Sequence, residues 1–119
     1  MKLSRILPLL FLLLIGSSIR SEAQIIKTSL TVSVLDGLGN PVQGATIQLF
    51  ANEEDYLKEE NVVAEGVTEG NKGQFRFKDI DAKAYYVIVR KDDMDNSGGG
   101  EKIGKLEPKK MNKVNIIIE

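Results

Sequence analysis

The chain has 119 residues, a formal net charge of −1, no cysteine and no histidine. That size favours one domain, and the charge excludes the strongly basic, clustered surface a nucleic-acid partner needs. The missing side chains exclude a disulfide scaffold, any Ser-His-Asp or Cys-His catalytic set, and zinc sites built on imidazole or thiolate.

The chain opens MKLSRILPLLFLLLIGSSIRSEAQ. Lys2 and Arg5 form a positive start, and Ile6 to Ile15 is an apolar run shorter than the about 20 residues a membrane-spanning helix needs. Ser21 and Ala23 then supply the small-residue pattern of a cleavage point. Residues 1–23 are therefore predicted to be a signal peptide, and residues 24–119 the folded domain. No membrane span is expected once the leader is gone. With no cysteine after the apolar run, lipid attachment at such a residue is excluded. The basic leader leaves a net acidic remainder.

From there the apolar period is two, the mark of strands. Leu30, Val32 and Val34 alternate with Thr31 and Ser33 in a first strand over 30–35. DGLGNPVQG is all turn chemistry. Ala45, Ile47 and Leu49 point inward from a second strand. NEEDYLKEEN, residues 52–61, is the one polar, helix-compatible stretch and reads as a long loop that can hold one helical turn. A third strand covers 62–68, and GNKG at 70–73 is a hairpin-type turn. In the fourth strand, QFRFKD, Phe75 and Phe77 face in while Arg76 and Lys78 face out. The fifth is YYVIVRK, 85–91. An acidic, glycine-rich connection follows, with a short strand around 103–106. The last strand, KVNIIIE, puts Val114, Ile116 and Ile118 on one face. Ile117 makes it apolar on both faces, so it is expected to be a central strand. Strands of this number and length describe an all-β, Greek-key sandwich of about seven strands, with a parallel sheet not expected.

Two stretches carry a resemblance. In the first, Asp36, Gly39, Pro41, Val42, Gly44 and Ala45 follow a D-x-x-G-x-P-V-x-G-A pattern. In the second, Thr68, Gly73, Phe75, Phe77, Tyr85 and Val87 follow a T-x-x-x-G-x-F-x-F pair and a Y-x-V strand. Together they resemble the carboxypeptidase-regulatory-like, or transthyretin-like, β-sandwich over nearly all of residues 29–119. The sequence departs from that pattern just before Tyr85, where Asp81-Ala82-Lys83-Ala84 lacks the usual glycine. The leader and the ending NKVNIIIE look like small exported single-domain members from Bacteroidetes-type bacteria. The resemblance implies a fold and a location, periplasm or cell surface. It implies no chemistry, because the related purine-pathway hydrolases depend on histidines that this chain lacks.

Three groups of residues remain as functional candidates. Glu53, Glu54, Asp55, Glu59 and Glu60 could in principle supply a glycosidase carboxylate pair, but a charge run of this kind reads as a solvated loop. Tyr56 and Tyr86 could stack on a sugar ring. In DDMDNSGGG, residues 92–100, Asp93, Asp95 and Ser97 fall on alternate positions before Gly98, as at the start of a calcium loop. Glu101 would be the ninth position, but the twelfth is Gly104 where a bidentate Glu is required, so the EF-hand is rejected. A looser site completed by Asp92 or Glu101 and a plain turn-rich connection both remain, the second preferred. No catalytic, cofactor or metal residue is assigned. The sequence points to a non-enzymatic binding or protein-interaction module, with an envelope protein or a glycan as partner. The alternatives are a carbohydrate-binding accessory protein and a calcium-stabilised structural domain. No residue pattern in the sequence alone decides the oligomeric state.

Overall fold

The structure is a computed structural model and describes residues 27–98 and 100–119. The expected leader, residues 1–23, lies outside them. Among the described residues, no helix is long and apolar enough to cross a membrane.

Two sheets face one another. Their strands are β1 (Ser29–Leu35), β2 (Thr46–Phe50), β3 (Ala64–Val67), β4 (Gln74–Lys78), β5 (Tyr85–Lys91), β6 (Met94–Asp95), β7 (Lys102–Ile103) and β8 (Met111–Ile117), with a helix α1 (Glu53–Lys58) between β2 and β3. The smaller sheet has the order β4-β1-β8, the larger the order β3-β2-β5-β6 with β7 also on β5. Most long connections cross from one sheet to the other, as a Greek key requires. The alternating apolar residues meet between the sheets: Leu30, Val32, Val34, Ala45, Ile47, Leu49, Phe77, Tyr85, Val87, Val89, Ile116 and Ile118 form one core.

Two expectations about the last strand do not hold. Among the described residues β8 is an edge strand, paired only with β1. That pairing is parallel, from Ser29↔Met111 to Leu35↔Ile117. Strands at opposite ends of a sequence can run parallel because the whole domain serves as their crossover. The apolar run Ile116–Ile118 misleads for a simple reason: Ile116 and Ile118 are buried, whereas Ile117 is 44% exposed on the outer face.

The residues of the two recognised stretches interlock. The Asp36 carboxylate accepts from the backbone N–H groups of Leu38 and Asn40, both at 2.9 Å. Those bonds, Asn40 first, hold its carboxyl below the ordinary range. The buried Thr68 hydroxyl donates to the Val42 carbonyl at 2.6 Å and accepts from Ala45 N–H at 3.0 Å. Gly73 has φ +57°, and a Cβ there would lie 2.7 Å from the Val42 backbone. Only glycine allows that approach. The Tyr85 hydroxyl donates to the Asp81 carbonyl, 2.7 Å away, and closes the corner that lacks a glycine.

Candidate functional site

The acidic connection is built first by β5 itself. Lys91 pairs with Met94 and Arg90 with Asp95 across a two-residue turn, so β6 is a short return strand the sequence reading missed. Asp92 at that turn has φ +55°. Asn96, just after β6, is only 4% exposed. Its side chain substitutes for a paired strand. Oδ1 accepts from Val89 N–H at 3.0 Å, and Nδ2 donates to the carbonyls of Val87, 3.0 Å, and Gly100, 2.9 Å. The Asp95 carboxylate accepts from the Ser97 hydroxyl at 2.7 Å and the Ser97 N–H at 3.0 Å. Those bonds, the hydroxyl first, lower its carboxyl below the ordinary value. Among the described residues, no group of three acidic side chains converges as a metal site would need. Asp93 and Asp95 therefore belong to a hairpin whose one engaged carboxylate is already satisfied by its neighbour.

The polar stretch 52–61 holds a six-residue helix, longer than the single turn expected within a loop. Asn52 caps its start, accepting from Asp55 N–H at 2.8 Å, and Glu59 ends it in the left-handed region. The helix lies on the outer face of the larger sheet. Tyr56 stacks on Tyr86 with ring centres 5.4 Å apart and meets Phe50 edge-on at 6.1 Å. The Lys102 ammonium also lies over the Tyr86 ring, 5.6 Å from its centre. The Tyr86 hydroxyl donates to Glu53, 3.3 Å. Burial, then the negative charge of Glu101, pushes the Tyr56 phenol up; burial and then Glu53 do the same for Tyr86. Arg90 grips Glu59 through two bonds of 2.6 and 2.9 Å. Lys58 pairs with Glu54, and Asn52 and Asn61 donate to Asp55. The two tyrosines thus face each other instead of presenting a shared platform for a sugar. Of these four acidic residues, Glu54 and Asp55 hold the helix to itself and its flanks, and Glu53 and Glu59 tie it to the sheet.

The groove the sequence reading did not identify is where β3 and β4 part company. Glu69 and Gln74 exchange both backbone hydrogen bonds at 3.1 and 3.2 Å. Beyond that bridge β3 joins the larger sheet and β4 the smaller one. A cavity of 760 Å³ opens between them, its apolar lining Ala64, Phe75, Phe77 and Ile80. A second pocket of 250 Å³ shares Ala64 and Ile80 and extends it toward Tyr85. Phe75 and Phe77 meet edge to face with centres 4.8 Å apart. Phe75 rests directly on Gly66 of β3: a Cβ there would lie 2.3 Å from its ring.

Both strands turn unused backbone toward this groove. The groups of Gln74 point away from β1, to Glu69, so by alternation those of Arg76 and Lys78 do as well. The same reasoning, from Glu69 bonded to Gln74 and Thr68 bonded to Ala45, directs Val67 and Glu65 into the groove from the other side. The side chains of Arg76 and Lys78 are exposed, and neither forms an ion pair among the described residues. A patterned sequence signal existed: glycine inside a strand, at Gly66, marks a close approach.

Comparison with known proteins adds the fold. The chain resembles a group B streptococcus pilus 2b backbone protein, with a TM-score of 0.50 and 16% identity over 76% of this chain and 40% of that one. It also resembles the major pilin subunit of Bacillus cereus, with a TM-score of 0.51 and 18% identity over 79% of this chain and 30% of that one. The chain thus spans less than half the length of either. At such identity the likeness speaks for a shared β-sandwich architecture. No family model and no curated protein sequence matches the chain.

Proposed function

We propose that this is an exported, non-enzymatic interaction module whose β3–β4 groove receives an extended peptide segment of another envelope protein. The observation that carries it is the pair of open strand edges facing one apolar groove. An extended segment added to an open edge gains main-chain hydrogen bonds, and alternate side chains fill pockets. A segment laid along β4 would set every second side chain over Phe75 and Phe77 and the others beside Arg76 and Lys78. The fitting partner is therefore a strand alternating apolar with acidic residues.

Export rests on the leader pattern. The likeness to a pilus backbone protein and a pilin subunit supports a place in the cell envelope and a building or binding role. The carboxypeptidase-regulatory-like assignment rests on the interlocked residues Asp36, Val42, Ala45, Thr68, Gly73 and Tyr85. Lack of histidine and cysteine, with acidic side chains held in local pairs, supports a role without catalysis.

The test is fluorescence anisotropy with labelled extended peptides alternating Val or Ile with Asp or Glu, against matched peptides alternating with Lys. Saturable binding to the acidic series is expected. It should weaken with salt and in Arg76→Glu/Lys78→Glu, and disappear in Arg76→Pro, which removes a donor that β4 does not give to β1. Flat curves for the acidic series, or equal binding of both series, would refute the groove reading.

A further inference from the structure

We propose that the protein self-associates through the open edge of β8, two copies pairing antiparallel about a two-fold axis at Val114. The two three-stranded sheets then become one six-stranded sheet. This inference does not depend on the groove, which lies along β4 at the opposite edge.

The backbone of β8 is divided by its parallel partner. Ser29 N–H donates to the Lys110 carbonyl, and Ile118 N–H donates to the Leu35 carbonyl. Even-numbered residues of β8 thus face β1. On the other side, Glu119 and Asp95 exchange both backbone bonds, 3.0 and 3.2 Å. Odd-numbered residues face away from β1, and Met111, Lys113, Asn115 and Ile117 present their N–H and C=O groups to the open side. The side chains of the same four are exposed, Met111 by 66% and Ile117 by 44%.

Only a register that sets odd residues opposite odd residues can use those groups. Three such registers are centred on the strand. An axis at Lys113 sets the two Lys113 ammonium groups opposite each other, which is destabilising. An axis at Asn115 sets Met111 opposite Glu119, whose open side Asp95 already occupies. An axis at Val114 sets Met111 opposite Ile117 and Lys113 opposite Asn115. In that register every outward backbone group from Met111 to Ile117 finds a partner, no like charges stand directly opposite, and the exposed apolar side chains cover one another. The second copy's strand begins where the Asp95–Glu119 pair ends. Its Lys109 and Lys110 then arrive beside the acidic side chains of Asp95 and Glu119. An edge that is complementary to itself in hydrogen bonds, charge and apolar contact is what an isologous interface needs.

The test is sedimentation equilibrium of the full-length chain across a concentration series, with engineered single cysteines in a protein that has none of its own. Twice the monomer mass is expected for the unmodified chain. Asn115→Pro should return it to a single copy that still unfolds cooperatively, with a melting temperature that no longer depends on protein concentration, since that N–H is not used within the molecule. Val114→Cys should cross-link under mild oxidation, because the residue faces itself across a non-hydrogen-bonded position where Cα atoms are about 4.5 Å apart. Lys113→Cys should not cross-link. A single-copy mass at every concentration, a dimer that survives Asn115→Pro, or cross-linking by Lys113→Cys and not by Val114→Cys would overturn the proposal.

Discussion

The two sheets of this sandwich are finished in opposite ways. The larger sheet is covered and closed. Helix α1 lies on its outer face, with Tyr56 over Phe50 and Tyr86, and the edge of β5 is completed by β6, β7 and the Asn96 side chain. The smaller sheet is bare. Its outer face is a row of small polar residues, Thr31 and Ser33, flanked by exposed Arg76, Lys78 and Lys113. Both of its edges, β4 and β8, carry backbone groups without a partner among the described residues along most of their length. Open edges are ordinarily blunted because they invite pairing. Lys113 blunts one register of β8, and the open edges are where pairing with another chain is proposed.

If the larger sheet is closed for stability, breaking the closure should cost most. Asn96→Ala leaves Val89 N–H and the carbonyls of Val87 and Gly100 without their side-chain partner, and the expected loss is about 3 kcal/mol. Urea unfolding measures it. Tyr56→Ala uncovers Phe50 and Tyr86 at a half-exposed position, with an expected loss of about 1.5 kcal/mol in the same assay. It should leave peptide binding unchanged if the groove is the site.

A pH series sharpens the same contrast. The phenols of Tyr56, Tyr85 and Tyr86 are all pushed above their ordinary value of 10.0, burial being the first cause in each. The folded state therefore favours the protonated form. Stability from these groups is intact below about pH 10 and falls as the unfolded chain, then the folded one, loses those protons. Melting temperature should show no tyrosine-linked fall until about pH 10 and then decline. A tyrosine-linked decline centred well below that would contradict the covered sheet.

The smaller sheet should be tolerant. Ser29 is 2% exposed, yet its hydroxyl has no partner among the described residues. Ser29→Ala is expected to be neutral or stabilising by up to about 1 kcal/mol, since it removes a buried unsatisfied group. Arg76→Glu/Lys78→Glu should change stability by less than about 0.5 kcal/mol per site while weakening the acidic peptides.

The sandwich was legible because each long strand wrote its buried face in alternate residues: Leu30, Val32 and Val34 lie where that period puts them, as do Ala45, Ile47 and Leu49. The outer-face helix was legible only as a helix-compatible stretch, without its length or its place on the sheet. Its signals were an Asn52 cap with Asp55 three residues on, and the out-of-phase apolar residues Phe50 and Ile88, which needed something above them. The edge position of β8 was hidden because Ile117, exposed, is chemically the same as its buried neighbours. The acidic connection looked like a ligand site because Asp, Asn and Gly also make turns. Asn96 and Asp95 use their side chains on the hairpin itself. The groove left almost no trace, since a cavity arises from two strands diverging and no residue type records divergence. Gly66 was the nearest thing to a mark.

The deciding measurement is residue-resolved amide hydrogen exchange on the isotope-labelled protein, with and without the tightest-binding acidic peptide. Slowed exchange at Arg76 and Lys78, with the Tyr56–Tyr86 face unchanged, is the expected result. Protection confined to that face, or to no backbone group of β4, would contradict a groove that takes an extended strand.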